Sequence, residues 1–151
     1  MGKKTILCIF CYNVDAIYSY RLALHELLHS VDIDRALISE TKLPKWFEWW
    51  NPGYRTYSTS GPNATYDGTA VLVKADIQHA YAKVPMSNSL ENAAIMVGLK
   101  ALETIIGAFY RSSVKPFEEE DFDKLIGLSK SRIFISGSDL NIANTQIGTP
   151  G

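Results

Sequence analysis

The order of apolar segments along the chain is the feature that most constrains its fold. The pattern predicts an apolar strand over Thr5–Asn13, a helix over about Ala16–Ser30 and a second apolar strand over Ile33–Ser39. Four short strands are then predicted in succession, at Tyr54–Ser58, Gly68–Lys74, Ala93–Leu99 and Thr104–Tyr110. A helix at Glu118–Ser129 and a strand at Arg132–Ser136 follow. This partial alternation of strands and helices predicts an α/β (α+β) domain with a mixed sheet.

Composition excludes several classes of protein. The 151 residues are 46% hydrophobic and 21% charged, which is typical of a globular domain and not of a disordered chain. No apolar run approaches the roughly 18 residues of a membrane span, and the apolar stretch after the basic start is too short for a signal peptide. We therefore expect an intracellular protein that is neither secreted nor membrane-bound. The net charge of -1 excludes a basic domain that binds nucleic acid by bulk electrostatics.

The only two cysteines, Cys8 and Cys11, form a C-x-x-C motif. A redox pair of this kind normally sits where a strand turns into a helix, but apolar residues flank this motif on both sides. Residues three apart on a strand point to opposite faces. We therefore expect buried, unreactive thiols that do not meet.

The segment from His25 to His29 reads H-E-x-x-H on a predicted helix, the pattern of zinc peptidases. The apolar stripe of this helix is formed by Leu24, Leu27, Leu28 and Val31. Both histidines fall off that stripe and no third ligand follows at the usual spacing. We expect them to point toward water and not to bind zinc.

Polar side chains end or follow four of the predicted strands. They are Asn13 and Asp15, Glu40, Tyr110, and Asp139 with Asn141. Ligands collect beyond the carboxyl ends of strands in sheets of this kind, and oxygen donors are those that Mg²⁺ prefers. The pattern indicates a magnesium site for phosphate chemistry. The alternative is that these residues only form turns.

An aromatic loop with the sequence W-F-E-W-W occupies Trp46–Trp50. Exposed aromatic rings can stack on nucleic-acid bases. Few basic residues lie nearby, which favours hydrophobic packing against the sheet. A third alternative is that the rings cover another part of the fold.

The segment Ile33–Leu43 reads I-D-R-A-L-I-S-E-T-K-L, close to the pattern I-D-I-A-L-I-S-E-T-x-L of a known group of nucleases. Further matches are Asn13–Asp15, Gly68–Lys74, Ile77–His79, Ala108–Tyr110 and Ser138–Asn141. The chain thus resembles the endonuclease/exonuclease/phosphatase superfamily. Within it, the sequence looks most like the endonuclease domain of non-LTR (LINE-type, jockey-like) retrotransposons.

This resemblance implies a four-layer sandwich with mixed β-sheets, of which residues 1–151 form a single, incomplete domain, the N-terminal portion. It also implies an enzyme that nicks DNA with Mg²⁺, or with Mn²⁺ in its place, and a downstream reverse transcriptase domain of the same element as partner. Glu40 and Asp15 would bind the metal, while Asn13, Asn141 and Tyr110 would orient or contact the phosphate. Asp139 would position the attacking water. The nucleus is then one expected location.

The sequence also departs from the family pattern. Ser112 and Ser113 stand where the family usually has two prolines, and Gly137–Asp139 reads G-S-D in place of G-G-D. The later S-D-H motif, whose histidine would partner Asp139, does not occur in these residues. We therefore expect this chain alone to cleave DNA weakly or not at all. The alternative function is a non-catalytic remnant or binding module.

Overall fold

The computed structural model describes residues 7–13, 16–43, 49–59, 68–82, 84, 90–99, 102–111 and 118–139. These residues form eight strands, two α-helices and a 3₁₀ helix at Ile17–Tyr20. The helices are α1 (Arg21–Ser30) and α2 (Glu119–Ser131). The strands are β1 (Ile9–Asn13), β2 (Arg35–Ser39), β3 (Tyr54–Thr59), β4 (Thr69–Lys74), β5 (Ala80–Ala82), β6 (Leu90–Leu99), β7 (Leu102–Arg111) and β8 (Ile133–Asp139).

The strands form two mixed sheets with the same plan. The first sheet has the order β1-β2-β4-β3 and the second has the order β5-β6-β7-β8. Each sheet contains one parallel pair, β1 with β2 and β7 with β8, whose strands are connected through a helix. The remaining pairs are antiparallel. A parallel pair needs such a crossover, which explains why helices appear only in these two places of the described chain.

The two sheets pack face to face around an apolar core. Leu37 and Val71 from the first sheet and Ile95 and Ile106 from the second are fully or almost fully buried in it. The helices cover the outer faces of the sheets. Leu24 and Leu28 of α1 pack with the outer residues of the first sheet, and Leu125 of α2 packs against the second. The result is the predicted α+β four-layer arrangement.

The two sheets are in close contact at Gly137 of β8. A Cβ atom at this position would lie 2.8 Å from Cys11 Sγ of β1 and 3.0 Å from Leu37 Cβ of β2. The parallel pair of one sheet therefore contacts the parallel pair of the other. Glycine is required here because a side chain would force the sheets apart.

The N-terminal strand and helix are shorter than predicted. The strand begins at Ile9, since the backbone N–H of Cys8 donates to the Asp34 carboxylate at 2.8 Å and does not join the sheet. The predicted helix is divided into the 3₁₀ helix and α1, which begins only at Arg21. The start of the 3₁₀ helix is held by hydrogen bonds from Ala16 N–H and Ile17 N–H to the carbonyls of Glu40 and Thr41, directly after β2.

Three further differences concern the second sheet. The short strand β5 was not predicted, and β8 continues through Asp139 instead of ending at Ser136. The apolar face predicted for α2 is wrong, because Phe122 and Ile126 are exposed. Asp121 is buried (3% exposed) and Leu125 half-buried. The helix is therefore rotated so that Asp121 and Leu125, which are four residues apart, face the protein.

The close approach at Gly137 predicts a large effect of a small substitution. We expect Gly137→Ala to lower the free energy of unfolding by about 1–3 kcal/mol, because the methyl group overlaps Cys11 and Leu37. Gly98→Ala is the matched control, since a Cβ atom there meets nothing within 4 Å. Urea denaturation of both variants measures the difference. Equal stabilities of the two variants would contradict the close packing of the sheets.

Candidate functional site

The carboxyl ends of β1 and β2 bring two of the predicted site residues into direct contact. Asn13, the last residue of β1, lies in register with Ser39, the last residue of β2, and Glu40 follows directly. The Asn13 side-chain amide donates a hydrogen bond from Nδ2 to Glu40 Oε1 at 2.9 Å. Two residues that are 27 positions apart in sequence thus form one polar pair at the end of a parallel strand pair.

The backbone of Glu40 has the left-handed conformation, with φ of +53°. This conformation is uncommon for a residue with a side chain and persists only where the surroundings fix it. Here the Glu40 carbonyl accepts a hydrogen bond from Ala16 N–H at 2.9 Å, and the Thr41 carbonyl accepts one from Ile17 N–H at 3.0 Å. The N–H of Thr41 donates to the Gly68 carbonyl at 3.2 Å. These bonds fix the direction in which the Glu40 side chain leaves the sheet.

Gly68 is required for this arrangement. Its φ is +138°, and a Cβ atom at this position would overlap Thr41 Oγ1 and lie 2.9 Å from the Thr59 carbonyl oxygen. Glycine allows the two segments to approach because it has no side chain. The segment Gly68–Lys74, which matches the family pattern, therefore begins at a glycine whose close approach to Thr41 helps to fix Glu40.

One positive charge lies beside the Glu40 carboxylate. Lys42 Nζ is 3.9 Å from Glu40 Oε2, and the two side chains are about a third and a fifth exposed. Lys42 is not among the site residues predicted from the sequence, although it lies two residues from Glu40. Its backbone is also left-handed, with φ of +47°. This geometry turns the chain sharply after β2 and keeps the lysine near the carboxylate.

The predicted residues of the second sheet lie at the end of its own parallel pair. Tyr110 of β7 is in register with Asp139 of β8, two residues beyond the contact of Gly137 with the first sheet. Tyr110 is 5% exposed. Asp15 and Asn141 lie outside the described residues. Among the described residues, no group of three or more histidine, cysteine or acidic side chains is placed to hold a metal ion.

The H-E-x-x-H segment agrees with expectation in part. His29 is exposed, as expected, whereas His25 is half-buried against the segment that precedes β3. His25 Nδ1 is 2.9 Å from Asn51 Oδ1, and the His29 ring lies edge-on to Tyr54 with ring centroids 5.6 Å apart. Of the predicted apolar stripe, Val31 is exposed. The histidines therefore join α1 to the chain around Asn51.

The two cysteines are unpaired, as predicted, but they are less buried than predicted. Cys8 and Cys11 are both free thiols. However, neither is fully buried: Cys8 is half-buried and Cys11 exposed, because β1 is an edge strand of the described sheet. The Cys11 sulfur faces the position of Gly137. The residue as a whole is exposed, but its sulfur is partly buried, and this desolvation raises the pKa of the Cys11 thiol above its ordinary value.

The two described residues of the aromatic loop, Trp49 and Trp50, have different surroundings. Trp49 is 8% exposed and belongs to the core beneath α1, whereas Trp50 is 77% exposed. Trp46, Phe47 and Glu48 lie outside the described residues. Packing against the sheet therefore holds for Trp49 but not for Trp50.

Comparison with solved structures identifies the fold. No protein-family model and no curated protein matches the sequence. The endonuclease domain of TRAS1, a telomere-specific non-LTR retrotransposon, superposes with a TM-score of 0.67 at 19% identity, over 96% of this chain and 64% of that domain. The human Nocturnin catalytic domain superposes with a TM-score of 0.62 at 15% identity, over 92% of this chain and 65% of that one.

A third structure, D. rerio TDP2 complexed with single strand DNA product, gives a TM-score of 0.62 at 12% identity over 95% of this chain and 64% of TDP2. The chain thus spans about two thirds of the length of each of these proteins. It has the endonuclease/exonuclease/phosphatase-type fold, as the resemblance predicted. Separately, no helix in the described parts of the chain is long and apolar enough to cross a membrane.

The packing around Glu40 predicts that Gly68 is sensitive to substitution. Gly68→Ala should lower the free energy of unfolding by about 1–3 kcal/mol more than Gly53→Ala, because its methyl group meets Thr41 and Thr59. Gly53 is a suitable control because its φ is also positive, at +82°, while its nearest neighbour is 3.7 Å away. Thermal and urea unfolding measure the difference. If the two variants are equally stable, the segments at Gly68 and Thr41 are not held in contact.

The raised pKa of Cys11 predicts the pH dependence of its alkylation. The thiolate is the reactive form, so a higher pKa leaves less thiolate at a given pH. In a Cys8→Ser variant, the midpoint of the rate of iodoacetamide labelling should lie at a higher pH in the folded protein than in urea. Mass spectrometry at a series of pH values measures both midpoints. The same midpoint in both states would contradict the burial of the thiol.

Proposed function

We propose that this chain carries the metal-binding part of a magnesium-dependent endonuclease that hydrolyses DNA phosphodiester bonds. The observation that carries this proposal is the pair formed by Asn13 and Glu40 at the ends of β1 and β2. The pair places a fixed carboxylate and a carboxamide at the edge of the sheet where such folds present ligands. In a retrotransposon, the nick would leave a 3′-hydroxyl that primes reverse transcription by another domain of the same element.

The donors at this edge fit a hard divalent cation. Glu40 offers a partly exposed carboxylate, and Asn13 occupies only Oε1 of it. Mg²⁺ requires oxygen ligands, keeps several of its waters and needs only one or two protein carboxylates. Glu40 would therefore hold the ion, with Asp15 as the second ligand. When bound, the ion supplies charge stabilisation at the phosphate and helps to generate the attacking hydroxide.

Asn13 acts as a positioning residue in this proposal. Its side-chain amide donates to Glu40 Oε1, which leaves Oε2 directed toward Lys42 and the exterior. The left-handed backbone of Glu40 restricts the carboxylate further. Phosphoryl transfer depends mainly on positioning and electrostatics, so a carboxylate fixed in this way is more useful than a mobile one.

The second parallel pair would supply the groups that act on the phosphate. Asp139 would position the attacking water, while Tyr110 and Asn141 would contact the phosphate oxygens. Tyr110 and Asp139 lie in register at the end of β7 and β8. The contact of Gly137 with Cys11 and Leu37 supports this grouping, because it joins β8 to the strands that carry Asn13 and Glu40.

The choice of DNA follows from the proteins with the same fold. One of them is an endonuclease of a retrotransposon, and another was captured with a single-stranded DNA product. The second candidate function is a non-catalytic binding module. The burial of Tyr110, a residue that should reach the phosphate, favours this alternative.

Removal of the Glu40 charge tests the proposal. We expect Glu40→Gln to weaken Mn²⁺ binding by at least about tenfold, because a neutral amide replaces the anionic ligand. Water-proton relaxation, with Mn²⁺ as a probe for the Mg²⁺ site, measures the affinity without any need for cleavage. Conversion of supercoiled plasmid to open circles in Mg²⁺ then measures nicking, which should depend on Glu40.

Glu26→Gln is the matched control, because Glu26 is an exposed carboxylate on α1 and carries the same charge. It should leave Mn²⁺ affinity and nicking unchanged. Mn²⁺ binding that is equal in the Glu40 and Glu26 variants would overturn the proposed metal site. Metal binding through Glu40 with no nicking in the complete protein would favour the binding module.

A further inference from the structure

Trp50 is the most exposed large apolar side chain among the described residues, and the proposed nuclease chemistry does not use it. Its neighbour Trp49 is buried in the core beneath α1 and anchors the segment. The result is an indole ring held on a fixed backbone at the surface. Such a ring resembles the aromatic platforms on which unpaired bases stack.

Two grooves meet at Trp50. One, of about 340 Å³, lies between the Trp50 segment and the face of α1 that carries Arg21, Leu22 and His25. The other, of about 280 Å³, lies between Trp50 and the beginning of β3, where Arg55 and Thr56 line it. Trp50 therefore borders open space in both grooves.

Two buried polar atoms beside Trp50 have no hydrogen-bond partner in the structure. They are Asn51 Nδ2, in a residue that is 3% exposed, and Thr56 Oγ1. Both residues line the groove toward β3, and Asn51 lines the groove toward α1 as well. Asn51 Oδ1 is already engaged by His25, so Nδ2 is the atom of this side chain without a partner, and it meets an acceptor in the groove only when the side chain turns outward. A nucleobase supplies such acceptors on its edges.

The charges of the residues that line the grooves indicate which class of ligand would bind there. Arg21 borders one groove and Arg55 the other, and none of the described residues that line them is acidic. A ligand that is flat, carries hydrogen-bond acceptors and is flanked by negative charge is a nucleotide within a strand. A paired base does not fit in this way, since its faces are stacked and its Watson–Crick edge is bonded to the partner strand.

From these contacts we infer that Trp50, Asn51, Arg21 and Arg55 form a binding site for an unpaired nucleotide of a single-stranded nucleic acid. The site is separate from Glu40. Tyr54 begins β3 opposite Lys74, whereas Ser39 pairs with Thr69 at the other end of β4. The inference rests on the proposed function only in expecting nucleic acid as the ligand.

Fluorescence anisotropy of a labelled 12-nucleotide thymidine strand tests this site. We expect Trp50→Ala to weaken binding about 5- to 150-fold, the range found for loss of one stacked base, and Trp50→Phe to retain most of the affinity. An abasic strand of the same length and charge should bind the wild type and Trp50→Ala equally. Phe122→Ala, which removes an exposed ring from α2 on the other sheet, should bind as the wild type does.

Four results would overturn the site. The first is that the wild type does not bind the thymidine strand, and the second is that Trp50→Ala binds it as tightly as the wild type does. The third is that Trp50→Ala loses as much affinity for the abasic strand as for the thymidine strand, and the fourth is that duplex binding depends on Trp50 as strongly as single-strand binding does. Because Mn²⁺ binding at Glu40 is measured separately, this failure is distinguishable from failure of the proposed nuclease site.

Discussion

The contact between the two sheets at Gly137 is the constraint on which the rest of the structure depends. Each sheet places its parallel pair, with the helix that connects it, at one edge, and these two pairs meet where a glycine of β8 lies against β1 and β2. A parallel pair directs the carboxyl ends of both strands to the same edge of its sheet. Asn13 with Glu40, and Tyr110 with Asp139, are therefore grouped by topology before any side chain interacts. The polar pair at Glu40 is a consequence of how the apolar cores pack.

The backbone after β2 has a shape that fixes the position of the Glu40 carboxylate. Glu40 and Lys42 both adopt left-handed conformations, which are unfavourable for residues with side chains. Hydrogen bonds from Ala16 and Ile17, together with the close approach of Gly68, hold the chain in this shape. The free energy that maintains it comes from contacts outside the site. A carboxylate held in this way does not have to become ordered when a cation binds, so less entropy is lost on binding.

The sequence predicted the strands better than the contacts between distant segments. β2, β3, β4 and β7 were placed within two residues at each end. For β2, β4 and β7 the signal is a continuous apolar run, because both faces of these strands are covered. The order of segments also predicted the four layers, and the strand ends predicted that Asn13 and Glu40 lie together. The orientation of α2, the contacts of His25 and the exposure of Trp50 were not predictable. They depend on Asp121, Asn51 and Trp49 becoming buried, which is decided by tertiary packing and not by local periodicity.

The chain is nearly neutral, so a site built around the Glu40 carboxylate has no general attraction for a polyanion such as DNA. A carboxylate repels phosphate, so Glu40 can only favour DNA if a cation lies between them. Lys42, 3.9 Å from the carboxylate, offsets part of this repulsion but is one charge on a partly exposed side chain. With a net charge of -1, these 151 residues provide no general positive field. In the proposed function, affinity would come from local contacts such as those proposed at Trp50, where stacking does not depend on charge and Arg21 and Arg55 line the grooves. Placing that contact away from Glu40 would keep the carboxylate from opposing it.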